Sequence, residues 1–458
     1  MISFKRFTMA KDGISRRYFF YGSLLAGAAP VAGFGSVPSL KHLGYKSPNE
    51  KLNIAGIGAG GKGFSDLMAC SQTENIVALA DPDEKRAERG FKQFEKAPKY
   101  KDFREMLDKE GKNIDAVTVS CPDHVHGSAA MWAMARGKHV YCQKPLTRTV
   151  WEAQQLEQAA ARYGVATQMG NQGYSNEGAR ECCEIIWNGD IGNVTEVHAW
   201  TNRPWAYWPQ GPEVVPKEAP VPPTLDWNAW LAGSEMRPYS PAYVPHNWRA
   251  FPDFGCGAIG DMACHILGTP NMALKLGNPV SVECIQQEGK GEYTFPKRAL
   301  IRFDFPARGT MPPVKVFWHD GLEKQPDIEG VPPGELLGDS DCNGSLFIGD
   351  KGMVTTGCYG ERTRLVPASK MRDYKMPPQI LTRSPGHYRD WIRAAKGGEP
   401  ACSNFSVASP FVQWMLLGVI AMKYEGKLEW DAEKMRFTNN PDANKWLRPR
   451  FRKGWKFV

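Results

Sequence analysis

A short apolar run, Leu52-Asn53-Ile54-Ala55-Gly56-Ile57, leads straight into Gly58-Ala59-Gly60-Gly61-Lys62-Gly63, and helical spacing follows over 64–71. No other stretch restricts the fold of this chain as tightly. The pattern is G-x-G-x-x-G set between a strand and a helix. Its first glycine allows the tight turn, its second lets backbone approach a pyrophosphate, and its third permits close packing of helix on strand. The start of that helix adds free N–H groups and a dipole suited to phosphate. A second apolar strand, Ile76-Val77-Ala78-Leu79-Ala80, ends at Asp81. That is about 20 residues on, where a carboxylate can hydrogen-bond a ribose 2′-hydroxyl. The spacing predicts a dinucleotide site on Gly58, Gly60, Gly61, Gly63 and Asp81. It favours NAD over NADP, because a carboxylate repels a 2′-phosphate, although Lys85 and Arg86 stand close enough to pair with one.

Strands and helices alternate through the first half. Further strands are expected at 116–119, 139–142 and 166–170, with helices near 84–94, 125–136 and 149–163. Short, continuously apolar strands between helices predict a parallel sheet covered on both faces, complete near residue 173. The second half reads differently. Strands at 194–200, 300–305, 314–318 and 345–348 are separated by long Pro-rich loops, with helices near 177–188, 259–274, 387–396 and 408–424. That pattern predicts an α/β chain whose second sheet is mostly antiparallel.

The first 36 residues read as an address. Ser15-Arg16-Arg17-Tyr18-Phe19-Phe20 follows the basic residues Lys5, Arg6 and Lys11 and precedes a mildly apolar, Ala- and Gly-rich run to Phe34. The order is that of a twin-arginine signal peptide over 1–36, with a polar linker over 37–50. The mature protein is expected in the periplasm or otherwise exported, with the twin-arginine export machinery as a partner. That route carries proteins already folded, often around a cofactor. Half of the net charge of +8 belongs to the signal, so the remainder is too weak and dispersed for nucleic acid. No later apolar run approaches a membrane span, and no cysteine near the end of the signal offers a lipid anchor. The eleven cysteines show no metal-like spacing, and no metal is expected. Buried thiols are the leading reading for them, with disulfides the alternative.

Two later segments carry chemistry. Cys142-Gln143-Lys144-Pro145-Leu146-Thr147 puts a lysine at the carboxyl end of a parallel strand, at the edge of the cofactor crevice. Gly255-Cys256-Gly257-Ala258-Ile259-Gly260-Asp261-Met262-Ala263-Cys264-His265 holds Asp and His four apart, on one face of a helix. Together they resemble the Gfo/Idh/MocA family, named for glucose–fructose oxidoreductase, inositol dehydrogenase and a rhizopine-catabolism protein. The family's E-K-P motif appears as Gln143-Lys144-Pro145, and its G-G-G-x-x-x-D-x-x-x-H segment runs from Gly255 to His265. Pro122-Asp123-His124-Val125-His126, Gly137-Lys138-His139-Val140, Trp248-Arg249 and Gly349-Asp350-Lys351-Gly352 extend the resemblance over nearly the whole mature chain.

The resemblance implies an NAD(P)-dependent oxidoreductase. It implies a Rossmann domain over 51–173, then a substrate and oligomerisation domain over 174–428 with an open, mostly antiparallel sheet, and a tail over 429–458. Lys144 would hydrogen-bond the substrate oxygen beside the nicotinamide. His265 would be the base that takes the hydroxyl proton as hydride leaves, aided by an ordinary imidazole pKa. Asp261 would orient substrate or imidazole. Pro122, His126, Gln143, Lys144 and Asn171 would join the glycines and Asp81 around the cofactor. Pairing through the open sheet implies a homo-oligomer. One departure stands out: Gln143 keeps the size of the motif's glutamate and loses its charge, which alters the field around Lys144.

The 200–250 stretch is crowded with Trp200, Trp205, Tyr207, Trp208, Trp227, Trp230, Tyr239, Tyr243 and Trp248, with Arg203 and Arg249 among them. Aromatic faces with a few polar groups suit pyranose rings; the competing reading is that they staple long loops to the sheet. A carbohydrate or polyol substrate is expected, touched by Tyr174, Arg203, Trp205, Trp248 and His265. Three functions stay open: net hydride transfer at a sugar, glycoside or cyclitol hydroxyl, redox-neutral glycoside cleavage by oxidation and elimination, and a cofactor-binding protein without turnover. No free NAD pool is expected outside the cytoplasm, so an exported enzyme should hold its cofactor tightly.

Overall fold

The computed structural model describes residues 50–457. The 1–36 signal, and all of the 37–50 linker but its last residue, lie outside the described residues.

The apolar runs of the first half become β1 (Asn53–Ile57), β2 (Asn75–Ala80), β3 (Lys99–Tyr100), β4 (Ala116–Val119), β5 (His139–Cys142) and β6 (Thr167–Met169). All pair in parallel, in the order β3-β2-β1-β4-β5-β6. β4 is buried along its whole length and β1 from Ile54 onward, because helices cover both faces and leave no polar side to alternate with. Those helices are α1 (Lys62–Ser71), α2 (Glu84–Gln93), α3 (Phe103–Glu110), α4 (Asp123–Met134) and α5 (Val150–Tyr163). Local chemistry sets their starts. Asp83 caps α2 by accepting from the Arg86 N–H, and Thr149 with Glu152 forms a reciprocal capping box on α5. β3 and α3 were not expected. β3 has two residues, and the eight-residue α3 carries only one short i, i+3, i+4 repeat, Phe103, Met106 and Leu107, on its buried face. The strand order reverses between β1 and β4, and a crevice opens there at the carboxyl ends.

After α6 (Glu177–Asn188) the chain builds a nine-stranded sheet in the order β13-β12-β11-β7-β10-β9-β8-β14-β15. Its strands are β7 (Val194–Trp200), β8 (Ser281–Glu288), β9 (Arg298–Phe305), β10 (Val314–Asp320), β11 (Gly344–Gly349), β12 (Met353–Thr356), β13 (Arg364–Val366), β14 (Lys427–Asp431) and β15 (Arg436–Phe437). Every pairing is antiparallel except β7 with β10. The register sets Val197 beside Val316 and Phe347, on the face that enters the main core. The stretch read as an extended tail holds β14 and β15, which complete one edge of this sheet.

The rest of the second half adds α7 (Trp227–Leu231), α8 (Gly268–Leu274), α9 (His387–Ala395) and α10 (Phe405–Ala421). α10 is buried round most of its circumference and lies between α5 and the second sheet. In α9, Trp391 packs with Ile54, Ala116 and Tyr141 of the first sheet and with Cys70 of α1. Two late helices therefore complete the core of a sheet formed early in the chain.

The aromatic stretch forms a small core of its own. Trp208, Trp227, Trp230, Tyr239, Tyr243 and Trp248 cluster with Phe251 and Phe254. The Trp227 and Trp230 rings stack at 4.7 Å. Stapling of the loop accounts for most of these side chains. The loop is also bonded to the first domain, where Glu84 N donates to Thr224 O at 2.9 Å and Asp226 N to Pro82 O at 2.8 Å.

Candidate active site

A cavity of about 960 Å³ opens where β1, β2, β4 and β5 end. At β1, Gly58 has φ +90°, and a Cβ there would lie 2.4 Å from Ser120 O. Only glycine lets β1 turn this close to β4. A Cβ on Gly63 would meet Gly58 O at 2.2 Å, so this glycine packs α1 onto the turn and does not line the cavity. Gly58, Gly60 and Gly61 do line it, and so do Asp81, Pro122, Gln143 and Lys144. Asp81 Oδ2 accepts from Ala59 N at 2.9 Å and Oδ1 from Asp83 N at 3.0 Å. Burial pushes its carboxyl up to about 6, against those N–H donors, so it is ionised at neutral pH. Arg86 also lines the cavity, with its guanidinium against Gly61. The cradle fits a dinucleotide: bare glycine backbone, a helix start and a carboxylate one strand away.

Two expected cofactor residues sit differently. His126 lines the cavity, but its Nδ1 lies 2.7 Å from Pro145 O and its Nε2 2.8 Å from Cys121 O. Burial lowers its pKa to about 4, so the neutral ring donates to one of these carbonyls, beyond the ends of β5 and β4. Asn171 is fully buried away from the cavity, accepting from Ser403 Oγ at 2.6 Å and donating to Cys264 O. α10 and its preceding turn close over β6 and claim that amide. Gln172 and Asn176 line the cavity instead.

At the reacting end, Lys144 Nζ donates to both Asp261 O and Asp261 Oδ1 at 2.7 Å. Arg249 Nε donates to the same Oδ1 at 3.2 Å, and Arg203 Nε lies 3.8 Å from Oδ2. Burial would raise the Asp261 pKa, but Lys144, Arg249 and Arg203 hold it well below the usual carboxylate range. Of the two roles expected for Asp261, orienting substrate or imidazole, this geometry leaves the first. No bond joins it to His265, because cations surround its carboxylate. Asp261 lies in a π turn, Ile259–Ala263, followed by a helical turn, Cys264–Ile266. Such wide turns recur at functional sites.

His265 lines the cavity, 4% exposed, with its ring edge-on to Tyr359 at 4.7 Å and its Nδ1 unpartnered. Burial and the nearby Lys144 charge lower its pKa well below the ordinary imidazole value. The expected near-neutral histidine is therefore a fully neutral one.

The substrate assignments divide. Trp248 lines the cavity, with the Arg249 guanidinium 4.2 Å over its ring. Arg203 reaches Asp261 from outside the lining and stacks on Tyr207. Trp205 is 58% exposed and is not among the residues that line the cavity. Tyr174 is a core residue: its hydroxyl accepts from Asn271 Nδ2 at 2.7 Å and its ring meets Phe411. The α8–α10 packing that encloses it could not be read from its neighbours in sequence.

The cavity residues that escaped the sequence reading include Asp123, His246, Tyr359 and Glu361. Asp123 had a usable signal, since it opens α4 directly after β4. Its Oδ2 accepts from Cys256 N at 3.2 Å, and burial pushes its carboxyl up to about 7 against Arg249 and Lys144. Tyr359 and Glu361 come from the turn after β12, which only the fold brings here.

Comparison with known proteins agrees with this architecture. Residues 51–171 match "Oxidoreductase family, NAD-binding Rossmann fold" and residues 181–297 "Oxidoreductase family, C-terminal alpha/beta domain", together just over half of the chain. The chain belongs to the Gfo/Idh/MocA oxidoreductase family. It is 29% identical to the inositol 2-dehydrogenase of Serratia proteamaculans over 51% of this chain and 76% of the relative. It spans only 36–44% of the length of several other curated relatives, including an uncharacterized oxidoreductase of Schizosaccharomyces pombe. Among solved structures, levoglucosan dehydrogenase with NADH and levoglucosan aligns at TM-score 0.57 and 17% identity, covering 83% of this chain and 99% of that one. Aldose-aldose oxidoreductase from Caulobacter crescentus, complexed with glycerol, aligns at 0.55 and 15%, covering 83% and 100%. At these identities the likeness is one of fold.

Proposed function

We propose that the protein is an NAD-dependent oxidoreductase acting on a secondary hydroxyl of a sugar, glycoside or cyclitol, with a cofactor that stays bound through the cycle. One observation carries the reading: the glycine cradle, the Asp261-tethered Lys144 and the neutral His265 share a single cavity. Bound NAD supplies the hydride acceptor. Lys144 donates to the reacting oxygen, held in place by its two bonds to Asp261. His265, uncharged, accepts the hydroxyl proton. Trp248 offers an aromatic face to a ring substrate. Inositol 2-dehydrogenases and levoglucosan dehydrogenase among the similar proteins support a cyclitol or sugar.

Cofactor retention is supported by the aromatic loop. It is bonded at 82–84, next to Asp81, and places Trp230 and Ala229 in the cavity lining. The closing residues tie it down: Arg452 Nε donates to Ala232 O at 2.6 Å and Arg452 Nη2 to Asn228 O at 2.8 Å. Export by the twin-arginine route belongs to the same proposal. All eleven cysteines are free, as suits a chain folded in a reducing compartment before export. The homo-oligomer, paired through the second sheet, is likewise part of it.

A second reading, redox-neutral glycoside cleavage, is favoured by Asp123. That chemistry needs another proton carrier beside His265, and a carboxyl with a pKa of about 7 lies in the same cavity. The deciding experiment is mass spectrometry of the purified protein for co-purified dinucleotide, then reaction of that holoprotein with a panel of glycosides and polyols. Bound NAD converted to NADH, or reoxidised by a second sugar, supports the first reading. Glycoside cleavage without accumulated NADH supports the second. Bound cofactor without turnover on any panel member would leave only a binding role.

A further inference from the structure

The missing glutamate at position 143 has a counterpart on the neighbouring helix. Asp66, in α1, is fully buried. Its carboxylate accepts from Gln143 Nε2 at 2.9 Å, Ser120 Oγ at 2.7 Å and Tyr388 Oη at 2.6 Å, and pairs with Lys62 Nζ. Lys62, Ser120 and Gln143 all line the cofactor cavity. An ionised carboxylate only accepts, so the Gln143 amide must turn its Nε2 toward Asp66. Its Oε1 is then fixed as the acceptor that remains. A glutamate at 143 would set a second carboxylate within 2.9 Å of the first, where both cannot hold charge. The space between α1 and the end of β5 admits one carboxylate, and this chain places it at 66.

We propose that Asp66 is a positioning residue that supplies the negative charge of the E-K-P motif from the glycine-loop helix, with Gln143 relaying its orientation into the cofactor cavity. The charge joins four elements around the site: Lys62 of the glycine loop, the end of β4 at Ser120, the end of β5 at Gln143, and Tyr388 of α9. The inference rests on the cavity holding a dinucleotide cofactor.

The test follows exchange of NAD on the purified full-length holoprotein against isotopically labelled NAD, read by mass spectrometry, beside thermal melting. Asp66→Asn removes the charge and Gln143→Glu doubles it. Each is expected to exchange at least about tenfold faster than the parent. Asp66→Asn/Gln143→Glu returns a single carboxylate and is expected to fall within about threefold of it, a coupling of the size that contacting residues show. Melting separates charge from fold: Asp66→Asn weakens the contacts to Lys62 and Tyr388 in both variants that carry it, while Lys62 Nζ still donates to Tyr388 Oη at 2.8 Å, so those two should melt alike. If Gln143→Glu does not fold, the double variant against Asp66→Asn alone decides. A double variant no slower than Asp66→Asn, or a Gln143→Glu protein that exchanges like the parent, overturns the inference. A parent protein that takes up no dinucleotide overturns the cofactor reading and this inference with it.

Discussion

The roles proposed for Lys144, Asp261 and His265 rest on their environments. Asp261 remains a carboxylate because Lys144, Arg249 and Arg203 surround it, and His265 remains uncharged because it is buried beside Lys144. Removing either reacting group should spare the cofactor. Lys144→Met and His265→Ala are expected to keep bound NAD and lose about 10²- to 10⁴-fold in kcat, measured under saturating substrate. Arg249 still bonds Asp261 when Lys144 is gone, so the fold should survive. The depressed His265 pKa has a further consequence. A base whose pKa is lowered stays deprotonated down to more acid pH, so the acid limb of kcat should lie below that of an ordinary imidazole, about pH 6.5. Asp81 titrates the other way. Its carboxyl is raised to about 6 by burial, so ribose recognition weakens as pH falls through that value. NAD affinity should fall as pH drops from neutral through that value in the parent and lose most of that slope in Asp81→Asn, checked by titration calorimetry.

Elements position these side chains through a few close approaches. The turn after β1 needs Gly58 at φ +90°, with no room for a Cβ against Ser120 O. Gly58→Ala should cost about 1–3 kcal/mol for the backbone conformation alone, before the clash, and open the β1–β4 crevice. Urea denaturation would measure the loss. The aromatic loop depends on its anchor at the closing residues. Arg452→Ala removes bonds to Ala232 O, Asn228 O and Asn228 Oδ1. It should cost about 1–3 kcal/mol and release NAD severalfold faster, with the chemical step unchanged.

At the scale of the whole molecule, the proposed cofactor retention and the proposed export belong together. Arg16→Lys/Arg17→Lys is expected to keep the protein inside the cell, folded and loaded with dinucleotide, as cell fractionation and mass spectrometry would report. The described residues already contain both sheets and the cavity between their elements.

Much of this was written locally. A strand, a glycine turn and a helix over 52–71 declare a parallel, dinucleotide-binding sheet, because each glycine is needed within a few residues of the next. Asp81, Lys144 and His265 were legible for the same reason: each stands at a strand end or helix turn that periodicity marks. The fold decided the rest. Asn171 and Tyr174 carry polar groups that look available, yet α10 closes over one and α8 with α10 encloses the other. Trp205 and Trp248 are alike in sequence context, and only the path of the loop exposes one and turns the other into the cavity. Asp66 and Gln143 lie 77 residues apart and meet at 2.9 Å. Hydrophobic period and turn chemistry act over a turn or a strand, so the sequence by itself determined the strands, the turns and the residue types at their ends. Which polar groups find each other across the core, and which are left facing the cavity, depends on packing between distant elements, and only the tertiary structure decided it.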